Sequence, residues 1–217
     1  MKIEVKRKIL AKEEAIGEEN RRLLREKEVT AFNLIGSPGS GKTSLIESAR
    51  RLLPEEIRIG VIEGDLASDK DTRRLKKLGL EALQINTGRG CHLSPKMVKE
   101  ALERFPLDSV DLLIIENVGN LVCPVSFDLG ETAKIGLVSV AEGDDKPTKY
   151  PLLFLEAELV ILNKIDLLPH TDFNREAFYE GLRAINNSVP LIEVSCRTGE
   201  GVEDWREWLV DRVIRNP

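Results

Sequence analysis

The feature that most constrains this chain is a run of eight residues, Gly36-Ser-Pro-Gly-Ser-Gly41-Lys42-Thr43. It has the spacing G-x-x-x-x-G-K-[ST], follows the apolar run Thr30–Ile35 and opens the helix-forming stretch Lys42–Leu53. That is the strand–loop–helix frame a phosphate-cradling loop needs. Gly36, Gly39 and Gly41 let the backbone wrap tightly and aim its N–H groups at an anion. Ser37, Pro38, Ser40 and Ser44 complete the stretch expected to line bound phosphates. Lys42 supplies a mobile positive charge for the β and γ groups, and Thr43 a hydroxyl ligand for Mg²⁺. The competing interpretation is an ordinary glycine-rich turn, but a chance match to the full motif is on the order of one per cent in a chain this long.

The rest of the chain alternates short apolar runs with helical periodicity. Ile57–Glu63, Ala82–Ile85, Leu112–Ile115, Ile135–Val140, Leu159–Leu162 and Leu191–Val194 read as strands, with Leu112–Ile115 the most apolar and expected to be central. Asp69–Leu78, Pro95–Arg104, Arg175–Ile185 and Val202–Ile214 read as helices; Ser94 is a potential cap before Pro95. Strands recurring between helices imply a three-layer α/β fold, a mostly parallel twisted sheet with helices on both faces. Its ligands bind beyond the carboxyl ends of the strands. This domain is assigned to residues 29–217. Residues 1–28 form an N-terminal helical segment, largely charged, in which Ile9, Ile16 and Leu23 recur seven apart with Leu10 and Leu24 beside them. So narrow an apolar stripe packs on the domain by one edge, or on a partner chain.

Composition bounds the function classes. At 217 residues and 41% apolar content there is room for one large domain with a core. A net charge of −5 speaks against broad nucleic-acid binding. No apolar run approaches the ~20 residues that span a bilayer, and no basic-then-apolar leader follows Met1, so a cytoplasmic protein without membrane contact is expected. Three cysteines do not close a disulfide framework; reduced thiols are either small buried hydrophobes or metal and catalytic groups.

Asn163-Lys-Ile-Asp166 follows the apolar run Leu159–Leu162 and resembles the guanine-reading element N-K-x-D. A carboxylate at Asp166 accepts from guanine N1–H and its exocyclic amine, an arrangement adenine does not offer. Asn163 can bridge to the base or tether the phosphate loop, and the stem of Lys164 can cover the ring. Ser195-Cys196-Arg197-Thr198, after the last strand, resembles the final base-contacting loop, with Cys196 a small buried residue rather than a ligand. The expected cofactors are therefore GTP or GDP with Mg²⁺. Asp65, ending Glu63-Gly-Asp65, is the first candidate for Mg²⁺ and Glu116 the second. Asp69 either positions water or simply faces a helix dipole. Glu116-Asn-Val-Gly119 resembles a D-x-x-G switch with Glu for Asp, so that Gly119 can give its N–H to a γ-phosphate. Asn120 follows where many such switches carry glutamine, and slow intrinsic hydrolysis, roughly 10⁻⁴–10⁻³ per second, is expected.

Cys91-His92 follows Thr87-Gly-Arg-Gly90, and Cys123 lies seven residues beyond Glu116 in the loop Val118–Asp128. On pattern alone this is a weak metal signature. Three ligands leave a four-coordinate site for water or a second subunit to complete, and a thiolate–imidazole set suits Ni²⁺ or Zn²⁺ rather than Mg²⁺. His170 reads as an exposed loop residue, and Lys146 and Lys149 as solvated or as reaching across a dimer.

Taken together, GSPGSGKT, EGDLASDKD, NTGRGCHL, IENVGNLVCP, AEGDDKPTKYP and NKIDLL resemble the HypB family of hydrogenase nickel-incorporation GTPases, over about residues 28–215. The resemblance implies a metal site of Cys91, His92 and Cys123 near a nucleotide-dependent homodimer interface. It implies delivery of Ni²⁺ to the [NiFe] hydrogenase large-subunit precursor, together with a nickel metallochaperone partner. Two departures stand out. Residues 1–30 hold neither Cys nor His, so the N-terminal nickel capture of some relatives is not expected. Ser37 stands where some paired NTPases carry an extra lysine. The alternatives are a urease-type nickel GTPase, a metal-binding or buffering protein that delivers nothing, and a P-loop kinase, which Asn163–Asp166 argues against.

Overall fold

The computed structural model describes residues 2–65 and 70–215, and within them the side chains of 11–65 and 70–214. The elements run α1 (Lys2–Glu26), β1 (Thr30–Gly36), α2 (Lys42–Leu52), β2 (Ile59–Asp65), α3 (Lys70–Lys76), β3 (Glu81–Asn86), α4 (Pro95–Leu102), β4 (Leu112–Glu116), β5 (Ala133–Ser139), α5 (Lys146–Lys149), α6 (Pro151–Glu156), β6 (Leu159–Asn163), α7 (Arg175–Ile185), β7 (Leu191–Val194) and α8 (Val202–Arg215). The strands form one sheet in the order β3-β2-β4-β1-β5-β6-β7, every neighbouring pair parallel. The expected three-layer fold is present, and more uniformly parallel than the sequence required. β4, expected at the centre, lies one place from it; β1 is the middle strand.

Alternating residues of the buried strands serve two cores, as a period of two demands. Phe32, Leu34, Val61, Ile114, Leu137 and Ile161 face α2, α3 and α8, where Trp205 is also buried. Ala31, Ile62, Leu113 and Ile115 face α1 and α4, while Ile35, Val138, Val160 and Leu162 face α6 and α7. Each fully buried side chain of this size contributes about 1.5–3 kcal/mol of transfer free energy. The short helices α5 and α6 were not evident in the sequence. Both carry a proline in the first turn, where its missing N–H costs nothing. Ser94 does cap α4, its Oγ accepting from Met97 N at 3.3 Å.

The helix α1 docks on α4 and the loop before β5. Leu24 of the expected stripe is buried and Ile16 and Leu23 are partly so; Ile9 and Leu10 lie outside the described side chains. The deciding contact is polar. Asn20, 1% exposed, donates through Nδ2 to Pro95 O at 2.9 Å and Leu129 O at 3.0 Å, and Arg21 pairs with Asp128 at 2.6 Å. Among the described residues no helix is long and apolar enough to cross a membrane.

Removing the Asn20 amide takes a buried donor away from the Pro95 and Leu129 carbonyls. Asn20→Ala should therefore lower the unfolding free energy by about 2 kcal/mol in denaturant titration. Glu14→Ala, on the exposed side of α1, should change it by less than about 0.5 kcal/mol.

Candidate functional site

Between β1 and α2 the chain makes a loop whose carbonyls are spoken for from both sides. Lys42 is buried in its mouth and donates to Gly36 O and Ser37 O, each at 3.2 Å; burial pulls its pKa down, and Glu116 pulls back. Gly41 has φ 102°, and a Cβ there would lie 2.3 Å from Asn163 Nδ2. That amide donates to Ser40 O at 2.9 Å, so of the two roles open to Asn163 it takes the tether. Ser40 is buried, Gly36 closes the strand, and Ser37, Pro38, Gly39 and Ser44 stand at the surface or half-buried around the mouth.

Two cavities open beside this loop. One, about 430 Å³, is lined by Gly41, Ser44, Lys164, Asp166, Cys196 and Arg197, among others. Here Ser195 Oγ donates to Asp166 Oδ1 at 2.6 Å, which fixes the carboxylate, and Thr198 N in turn donates to Ser195 Oγ at 3.1 Å. Asn163 Oδ1 accepts from Cys196 N at 3.3 Å, which joins the loops that follow β6 and β7. Lys164 adopts φ 62° and donates to Gly39 O at 2.6 Å, laying its stem across the cavity edge. The Cys196 thiol is pushed up to about 11 by burial, as befits a packing residue.

The second cavity, about 530 Å³, is lined by Pro38, Lys42, Thr43, Asp65, Glu116 and Gly119 and also by Glu63 and Asp71. Thr43 Oγ1 donates to Glu116 Oε1 at 3.0 Å, while Glu116 Oε2 is buried without a hydrogen-bond partner. Glu63 and Glu116 sit side by side in the parallel register of β2 and β4. Burial, with Glu63 adding to it against the opposing pull of Lys42, raises the Glu116 carboxyl to about 7. The Glu63 carboxyl is also raised by burial, although Thr72 donates to it. A buried oxygen without a partner beside a hydroxyl is the environment that a hard, oxygen-seeking cation relieves, so the donor set here fits Mg²⁺. Gly119 packs over Pro38 so closely that a Cβ would come within 2.8 Å of its ring. Asp69 lies outside the described residues.

The third constellation stands on the loops before α4 and after β4. The ligand atoms of Cys91, His92 and Cys123 all lie within 4.8 Å of one another, with Cys91 Sγ 3.6 Å from His92 Nδ1. The His92 ring stacks on Phe127 at 4.1 Å between centroids. Burial lowers the His92 pKa, which favours the neutral, ligating imidazole. The Cys91 pKa is raised chiefly by the hydrogen bond with Cys123, since two adjacent thiols do not both ionise without a cation between them. His170 is exposed. Lys149 pairs with Asp145 at 2.5 Å and Lys146 lies over Tyr150, so both are engaged within the chain.

The sequence reading missed Glu63, Asp71 and Arg74. Glu63 was available to it: two residues before Asp65 on one strand, it faces the same side. Arg74 was not, because its role depends on α3 crossing α2, where it pairs with Glu47 at 2.6 Å and lines both cavities.

The nucleotide-binding domain profile of the CobW/HypB/UreG family matches residues 30–193. The hydrogenase maturation factor HypB of Rhizobium leguminosarum bv. viciae is 48% identical over 95% of this chain and 69% of its own length. This chain belongs to the HypB family of hydrogenase maturation factors. Two HypB crystal structures superpose on it closely. That from Helicobacter pylori, described as in complex with nickel, has a TM-score of 0.90 at 35% identity, covering 94% of this chain and 96% of the other. That from Archaeoglobus fulgidus has a TM-score of 0.88 at 39% identity, covering 94% and 99%.

The raised Glu116 pKa has a measurable consequence for this HypB chain. Ionising the group costs folding free energy in the nucleotide-free protein. The penalty is absent below pH 4.5, grows as the pH rises and is complete above about 7. Glu116→Gln should therefore match wild type in stability near pH 4.5 and exceed it by about 2–3 kcal/mol at pH 8, measured by denaturant titration without nucleotide or Mg²⁺.

Proposed function

We propose that this chain is a GTP-hydrolysing metallochaperone that delivers nickel during [NiFe] hydrogenase maturation, dimerising with GTP and passing metal through Cys91, His92 and Cys123. One observation carries the reading. A single short segment of chain lines the phosphate cavity with Glu116 and Gly119 and, four residues on, contributes Cys123 to the thiol–imidazole cluster.

In this reading Asp166, oriented by Ser195, selects guanine, Asn163 braces the phosphate loop and Arg197 borders the base cavity. The loop N–H groups and Lys42 hold the phosphates and stabilise charge on the transferring group. Thr43, Asp65 and Glu116 would hold Mg²⁺, which when bound neutralises charge on the β and γ oxygens. Gly119, packed against Pro38, senses the γ-phosphate, and Cys123 follows its movement. The soft S and N donors accept Ni²⁺ or Zn²⁺, and a three-ligand set leaves a position through which cargo is handed on. The proposed partners are a second copy of the chain, a nickel metallochaperone and the hydrogenase large-subunit precursor, in the cytoplasm and without nucleic acid or membrane.

The test is Ni²⁺ titration by calorimetry with light scattering in parallel, comparing GDP with a non-hydrolysable GTP analogue. The expected outcome is a doubled mass with the analogue, a Ni²⁺ affinity that differs between nucleotides by at least about fivefold, and tenfold or greater weakening in Cys123→Ala. Equal Ni²⁺ affinity in the two nucleotide states would sink the proposal.

A further inference from the structure

We infer that Asn117 and Asn120 are positioning residues through which the phosphate cavity sets the geometry of the metal cluster. The inference rests on the reading of that cluster as a nickel site coupled to nucleotide.

Both asparagines belong to the switch segment, and both have their backbones fixed to the phosphate-loop strand. Asn117 N donates to Leu34 O at 3.1 Å and Asn120 N to Gly36 O at 3.1 Å. Their side-chain carbonyls serve the metal-cluster loops. Asn117 Oδ1 accepts from Leu93 N at 3.0 Å, the residue directly after His92, and from Val118 N at 3.0 Å. Asn120 Oδ1 accepts from Val122 N at 2.8 Å and Cys123 N at 3.4 Å. Each half of the cluster thus hangs from the side-chain carbonyl of one asparagine: the Cys91-His92 loop from Asn117, the Cys123 turn from Asn120. Gly119, packed on Pro38, lies between them.

The anchor behind Asn117 is stiff. Its Nδ2 donates to Asn33 Oδ1 at 3.1 Å, and Asn33 Nδ2 donates to Glu131 Oε1 at 3.1 Å; Asn33 is 0% and Asn117 1% exposed. Buried polar groups of this kind are costly to leave unpaired. A shift at Gly119 is therefore carried along these bonds rather than absorbed by breaking them. Metal ligands tolerate displacements of only about 0.2 Å, so small movements of Leu93 N and Cys123 N change affinity. The two tethers act on different ligands, and together they convert one displacement into a change of ligand spacing.

The experiment measures Ni²⁺ dissociation constants by calorimetry in the GDP and GTP-analogue states of wild type, Asn120→Ala, Asn120→Asp and Asn117→Ala. The nickel–thiolate absorption band is recorded alongside. Asn120→Ala should bring the ratio of the two constants to within about twofold of one and remove the nucleotide-dependent change in the band. Asn120→Asp, which keeps the acceptor, should preserve both. A merely structural role would weaken the two affinities equally and leave the ratio alone. Asn117→Ala carries the same expectation, and should it not fold, Asn120→Ala decides. A wild-type ratio different from one that survives in Asn120→Ala overturns this inference and spares the nickel reading. A wild-type ratio of one overturns both.

Discussion

The phosphate loop is held by hydrogen bonds to its own carbonyls, and the site is arranged around that fact. It projects from β1, the middle of seven parallel strands. On one side Asn120 N reaches Gly36 O; on the other Asn163 Nδ2 reaches Ser40 O. β4 and β6 thereby brace the same loop from two directions, β4 through the segment that follows it and β6 through its own last residue. The loops that follow β6 and β7 and the carboxylates on the β2–β4 side are consequently referred to one frame.

The electrostatics follow from where the strands end. Parallel register sets Glu63 beside Glu116, both buried, and Lys42 is drawn in close by. Burial disfavours each of these charges; the attraction between Lys42 and Glu116 offsets only part of that cost, and Glu63 adds repulsion to Glu116. Such an arrangement is poor for the stability of the empty protein, and a ligand that supplies both signs of charge would relieve it. Strain of this sort gathers where a protein binds ligands.

Much of this was legible in advance, and the reasons differ by element. The phosphate loop and Asn163–Asp166 are local motifs whose chemistry depends on neighbours in the chain. The buried strands announce themselves by apolar runs, so the parallel sheet could be expected. The helices α5 and α6 are too short for periodicity to show, and their prolines look like breaks rather than starts. Arg74 and the Asn117 tether depend on contacts across the fold, which no local spacing encodes, whereas the Asn120 tether is a turn within four residues. Cys91, His92 and Cys123 fall between these cases. Residue type suggested a ligand set, but only the fold brings positions 92 and 123 together, with Asn117 and Asn120 holding the loops.

The partial burial of Cys196 sets its chemistry apart from that of the two cysteines in the cluster. Its thiol is pushed up to about 11, so at neutral pH it is a poor nucleophile. Cys91 is exposed. A mild electrophile therefore discriminates between them without any residue being replaced, and a bound cation on Cys91 would slow its modification. Modification of Cys91 would thus report a cation at the cluster, with the Cys196 sulfur beside the Asp166 cavity as an internal reference.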